Sequence, residues 1–226
     1  MIFKNIPTNL IIGFLGVGKT TVIRHLLSQV PEGQRWAVLV NEFGEIGVDG
    51  AFLREEDVAV EEVAGGCMCC VTGAGLQVGL NRLIRQYKPD RILIEPTGLG
   101  HPAQVIETLT TPPFESVLDV RANIGLVDAR QLSDRQYTEH PTYQDQLFIA
   151  DVLAANKADL YQPDDVERFE ALTRDFQPTK WRYAIVEQGR IPLDWLELSR
   201  SQERKALFPE AHAFIQARTE PAQHEE

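Results

Sequence analysis

Leu10, Ile11 and Ile12 run directly into Gly13, Phe14, Leu15, Gly16, Val17, Gly18, Lys19, Thr20 and Thr21, and no other stretch of the chain constrains its fold as strongly. An apolar strand that breaks into glycines and closes on Lys-Thr is the pattern of a phosphate-binding loop between a strand and a helix. Without side chains, Gly13, Gly16 and Gly18 let the backbone wrap an anion with its N–H groups turned inward. Val17 lies inside that wrap and Thr21 follows it. Lys19 is placed to reach the β/γ-phosphates, and the Thr20 hydroxyl can ligate Mg²⁺.

The rest of the chain repeats the strand–helix rhythm that such a loop requires. Short apolar runs at Leu10–Ile12, Trp36–Val40, Arg91–Ile94, Ile124–Val127 and Val152–Ala155 are strand candidates, separated by stretches with helical periodicity. Val22, Ile23, Leu26 and Leu27 form one such stretch, and Leu76, Leu80, Leu83 and Ile84 within Gly75–Tyr87 form another. The pattern predicts an α/β P-loop NTPase fold, a doubly wound and mostly parallel sheet with flanking helices. Further along, Val166–Phe176 is expected to be helical, Trp181–Val186 a strand, Ser201–Ala217 a helix and Thr219–Glu226 disordered. Residues 1–200 are therefore expected to form the nucleotide domain, and 201–226 a C-terminal helix and tail.

A formal charge of −11 over 226 residues argues against a general nucleic-acid binder, because such proteins neutralise phosphates with clustered Lys and Arg. No apolar stretch approaches membrane-spanning length, and Lys4 and Pro7 stand where a secretory signal would need a long apolar run. A cytoplasmic protein with neither a nucleic-acid nor a membrane partner is expected.

Three further segments carry chemistry. Asn156, Lys157, Ala158 and Asp159 follow the Val152–Ala155 strand, and the Asp159 carboxylate can accept both the N1–H and the exocyclic N2–H of guanine, which adenine cannot offer. Asn156 is expected to contact the base edge and tie its loop to the P-loop, with the Lys157 stem over the base. Glu95, Pro96, Thr97 and Gly98 end another strand, so Glu95 can hold Mg²⁺ through water while Gly98 offers its N–H to the γ-phosphate. Asn41 to Gly50, acidic and glycine-rich, suits a switch loop, with Glu45 and Asp49 as candidates for metal contact or water positioning.

Gly65 and Gly66 lead into Cys67, Met68, Cys69 and Cys70, which hold all three cysteines of the chain. They are too close together for a disulfide framework, and three soft ligands within reach of one ion suit Zn²⁺ or Cu⁺. No second cluster supplies a fourth ligand, so the site reads as open to exchange. Buried cysteines acting as small hydrophobes, or a redox-active pair Cys67 and Cys70, are the alternatives. Among the histidines, His25 reads as a packed or surface residue, and His101, which follows Gly98, Leu99 and Gly100, reads either as a γ-phosphate sensor or metal ligand or as a loop histidine with no role.

Taken in order, GFLGVGKTT, NEFGEIGVDG, GGCMCC, IEPTGLGHP and NKAD closely resemble the CobW-type metallochaperone GTPases, in particular their zinc-binding YeiR-like subgroup. The resemblance is strong over residues 8 to 160. It implies slow hydrolysis of GTP to GDP and phosphate, coupled to binding and delivery of zinc to a client metalloprotein. Cys67, Cys69 and Cys70 are then the matching cysteines, with Glu45 close to the zinc. On the residue readings above, Lys19, Glu45, Asp49 and Glu95 are the candidate catalytic set, and Thr20 and Glu95 the candidate magnesium set. Such proteins usually continue into a second domain, which this sequence does not include. A zinc-linked homo-oligomer is also compatible with the cysteines. Two other functions fit the residues: a zinc buffer or switch that uses GTP as a ligand with negligible turnover, and an ATP-dependent kinase, against which Asn156–Asp159 speaks.

Overall fold

The computed structural model describes residues 5–40, 58–62, 74–204 and 207–208. In chain order the strands and α-helices are β1 (Ile6–Gly13), α1 (Lys19–Leu27), β2 (Trp36–Val40), β3 (Val58–Glu62), α2 (Ala74–Tyr87), β4 (Arg91–Glu95), α3 (Pro102–Leu109), β5 (Leu118–Val120), β6 (Ile124–Val127), α4 (Arg135–Thr138), α5 (Pro141–Ile149), β7 (Val152–Ala155), α6 (Pro163–Asp175) and β8 (Arg182–Ile185). Short 3₁₀ turns at Ala129–Ser133, Ala158–Leu160 and Leu193–Glu197 complete the connections.

The strands form one eight-stranded sheet in the order β3-β2-β4-β1-β6-β7-β8, with β5 alongside the start of β1. All described strand pairs are parallel, which explains why the strands read as continuous apolar runs: both faces are covered. Alternation along each strand divides the core into two layers. Leu10, Ile12, Ala37, Leu39, Ile92 and Ile94 face α2 and α3 residues such as Leu80, Leu83 and Leu109. Ile11, Trp36, Val38, Val40 and Leu93 face Val22, Ile23 and Leu26 of α1, together with Trp195 and Leu196. Burying each Val, Leu or Ile side chain of these layers contributes about 1.5–3 kcal/mol.

β1 lies between β4 and β6, so the connections turn to opposite sides of the sheet at its carboxyl end. In open parallel sheets that reversal opens the crevice in which ligands bind. The loops after β1, β4, β6, β7 and β8 all lie on this edge.

The expected strands are present, and β3 and β5 are additional. The start of the expected C-terminal helix is not helical over the described residues 201–204 and 207–208. Backbone N–H groups there are taken by buried carboxylates: Ser201 N–H donates to Asp151 Oδ1 at 2.9 Å, and Leu207 and Phe208 donate to Asp145 Oδ1 at 2.7 and 3.2 Å. The remainder of the expected helix and tail lies outside the described residues.

Candidate nucleotide site

The loop from Gly13 to Gly18 connects β1 to α1, and Gly18 is the N-cap of α1 with φ +100°. No side chain caps the helix and its first turn holds no acidic residue, so neither a capping oxygen nor a carboxylate competes with an anion for the helix N-terminus. Glycine is required at 18 for a second reason: a Cβ there would lie 2.4 Å from Asn156 Nδ2. Lys19 is 6% exposed. Its ammonium donates to the carbonyls of Gly13 and Phe14 at 3.1 and 3.2 Å, which holds the charge inside the loop.

At the end of β4, Glu95 accepts from Thr20 Oγ1 at 3.2 Å through Oε1 and 3.4 Å through Oε2. A hydroxyl and a carboxylate paired beside a phosphate loop are the hard oxygen donors that suit Mg²⁺. The turn beyond brings Gly98 against the P-loop, where a Cβ would meet Leu15 N at 2.7 Å. Thr97 closes this turn by accepting Gly100 N–H at 2.9 Å.

The loop after β7 is tied to both of its neighbours through Asn156, which is 2% exposed. Its Nδ2 donates to Val17 O at 3.0 Å and its Oδ1 accepts Gly189 N–H at 3.0 Å, so the P-loop and the loop after β8 meet on one side chain. Lys157 has φ 70°, and its ammonium lies 3.3 Å from Asp128 Oδ2. The lysine stem is thereby held along the edge of the sheet. Asp159 is exposed in the following 3₁₀ turn.

Asp128, which follows β6, was not legible as a site residue. It is 2% exposed and also binds Arg130 at 2.9 and 2.6 Å. Burial alone would raise its pKa, but the Arg130 hydrogen bonds and the Arg130 and Lys157 charges outweigh this and hold the carboxyl below 3.8. Tyr161 donates to Asn156 O and accepts Ala129 N–H, which joins the loops after β6 and β7. Burial pushes its hydroxyl up to about 12.

Phe14 is gripped by an aromatic cluster, with ring centroids 5.6 Å from Tyr137, 5.2 Å from His140 and 5.8 Å from Tyr143, all edge-on. His140 also caps α5, its Nδ1 accepting Thr142 N–H at 3.2 Å. His101 is the N-cap of α3. Of the remaining sequence candidates, Glu45, Asp49, Cys67, Cys69 and Cys70 lie outside the described residues. Among the described residues there is no group of three or more metal-ligating side chains, and no helix long and apolar enough to cross a membrane.

An uncapped helix after β1 and a Thr–Glu oxygen pair beside it, on the carboxyl edge of a doubly wound sheet, define the class: a P-loop nucleotide-binding domain. The sequence profile described as CobW/HypB/UreG, nucleotide-binding domain, matches residues 7–183, and the chain belongs to that family. It is 46% identical over 208 residues to the zinc chaperone YeiR of Escherichia coli, covering 91% of this chain and 62% of that protein. To the zinc chaperone CobW of Pseudomonas aeruginosa it is 31% identical over 219 residues, covering 83% and 58%. The chain thus spans about three fifths of the length of these relatives. The crystal structure of the Zn(II)-bound YjiA GTPase from E. coli has the same fold, with a TM-score of 0.56 at 24% identity over 80% of this chain and 57% of that one.

Proposed function

We propose that this chain is a zinc-binding GTPase, which hydrolyses GTP to GDP and phosphate and couples that cycle to the binding and transfer of zinc to a client metalloprotein. The observation that carries the nucleotide half is the Asn156 bridge to Val17 and Gly189, which places the guanine-type loop in fixed register with the P-loop. The zinc half rests on Cys67, Cys69 and Cys70 and on the similarity to proteins named zinc chaperones.

In this reading the backbone N–H groups of Gly13, Gly16, Val17, Gly18 and Thr21, with the N-terminus of α1, hold the phosphates. Lys19 swings its ammonium from the loop carbonyls to the β/γ-oxygens and stabilises charge as the γ-phosphoryl leaves. Thr20 and Glu95 fit Mg²⁺ by their oxygen chemistry. The ion would neutralise charge on the β/γ-oxygens. Asp159 selects guanine, Lys157 covers its face and Asn156 fixes both loops. Gly98 N–H reports the γ-phosphate, and Glu45 or Asp49 in the switch loop positions the attacking water, with Glu45 also close to zinc. Zinc is the cargo, held by three thiolates that leave a coordination position for the recipient's ligand. We place the protein in the cytoplasm, with zinc-linked self-association as a further property.

The decisive measurement is the GTPase rate as a function of free zinc, for the native chain and for a Cys69→Ala, Cys70→Ala double variant. A zinc-dependent rate in the first and its loss in the second is the expected result. A rate indifferent to zinc in both sinks the coupling. Single-turnover phosphate release with negligible yield would favour a GTP-liganded zinc buffer.

A further inference from the structure

The turn after β4 is held from two sides. On one, Gly98 is pressed so closely on Leu15 that no side chain fits at position 98. On the other, Gln146 of α5 donates from Nε2 to Gly98 O at 2.9 Å and to Gly100 O at 3.4 Å. Gln146 is 5% exposed, and its Oε1 is buried with no partner among the described residues. Both of this side chain's described hydrogen bonds go to the turn.

The chemistry suits one purpose. Glycine at 98 is imposed by the close approach to the P-loop, and glycine leaves the two peptide planes beside it free to rotate against each other. Anchoring its carbonyl removes that freedom from one plane and limits the swing of the other, which carries the Gly98 N–H. Only a donor of this length serves: a carboxylate would repel both carbonyls, and an apolar side chain would leave them unpaired. One turn earlier on α5, Tyr143 packs on Phe14 of the P-loop, so the same helix grips both phosphate-facing loops.

We infer that Gln146 is a positioning residue for γ-phosphate recognition, holding the 97–100 turn so that the Gly98 N–H is preorganised toward the triphosphate. This rests on the reading of Gly98 as the γ-phosphate contact. Preorganisation of this kind acts on the triphosphate and leaves the diphosphate untouched.

Affinities for GDP and for a non-hydrolysable GTP analogue, measured by displacement of a fluorescent GDP in Mg²⁺, test it in the native chain and in Gln146→Met and Gln146→Glu. The analogue is expected to weaken about tenfold, with GDP within twofold of native. Equal weakening of both nucleotides, or no change in either, overturns the inference. If those variants fail to fold, Gln146→Asn, which keeps the amide but shortens its reach, is read by the same ratio. Gly98→Ala, whose Cβ would press on Leu15 N and so displace the turn, separates the two claims, with analogue affinity read relative to GDP. If it spares analogue affinity, the reading of Gly98 fails; if it costs analogue affinity while the Gln146 variants do not, Gln146 alone is overturned.

Discussion

Asn156, at the end of β7, donates from Nδ2 to the carbonyl oxygen of Val17 at 3.0 Å and so joins two loops 139 residues apart. In Asn156→Asp the carboxylate faces that carbonyl without a proton to offer. Guanine-nucleotide affinity is expected to fall at least tenfold, and folding stability by about 1–3 kcal/mol. Fluorescent GDP titration and urea denaturation read the two effects. Unchanged affinity would remove the bridge from the site.

The Thr20–Glu95 pair separates metal dependence from nucleotide binding. Glu95→Gln preserves shape and removes charge, so GTP turnover is expected to fall about 10²-fold and half-maximal activity to need more Mg²⁺. GDP affinity measured in EDTA should stay as in the native chain. A variant with native Mg²⁺ dependence would exclude Glu95 from the metal shell.

In the proposed reading, base choice rests on the exposed Asp159. In Asp159→Asn the acceptor pair becomes one acceptor and one donor, which suits xanthine, whose C2 bears a carbonyl. Relative preference for the xanthine over the guanine nucleotide is expected to shift by about 10³-fold. Competition between the two triphosphates in a turnover assay measures this, and an unchanged preference would place the base elsewhere.

Asp151 is fully buried and accepts Asn123 N–H at 2.8 Å and Ser201 N–H at 2.9 Å, with Arg204 Nε at 3.4 Å. Asp151→Ala leaves the Arg204 guanidinium buried without its partner, and a loss of about 3–5 kcal/mol is expected. Equilibrium urea unfolding checks it. A loss under 1 kcal/mol would show that water reaches the gap.

Asp128 sets a pH dependence of known sign. Its carboxyl is held below 3.8 in the folded chain, so its contribution to stability is present above 3.8 and is lost as the pH falls below that value. The stability gap between the native chain and Asp128→Asn should be constant near neutral pH and close below 3.8. A gap that instead closes on raising the pH would contradict the assignment.

Much of the nucleotide edge was legible because its signals are local. The glycines before Lys19 and the apolar runs of β1, β2, β4, β6 and β7 are dictated by neighbours in sequence, and a parallel sheet buried on both faces needs continuous apolar strands. Helix α5 escaped because its buried positions include Thr142, Asp145 and Gln146, polar residues that break apolar periodicity. The strand β3 ends in Glu61 and Glu62, which mask its pairing with β2. At the start of the expected C-terminal helix, Asp145, distant in sequence, takes the Leu207 and Phe208 N–H groups that helix carbonyls would otherwise accept, and Asp151 holds Ser201.

By itself, then, the sequence determined the fold class and put a phosphate-loop pattern and an Asn-Lys-Ala-Asp loop at two strand ends, since each is written in spacing over a few residues. Only the tertiary structure decided that Asn156 reaches Val17 and Gly189, that Asp128 holds Lys157, and that Gln146 grips the turn beside Leu15. Those contacts depend on β1 lying between β4 and β6, with β7 and β8 beyond. Strand order is a long-range packing outcome, set by how two apolar faces are covered together, and no short stretch of sequence carries it.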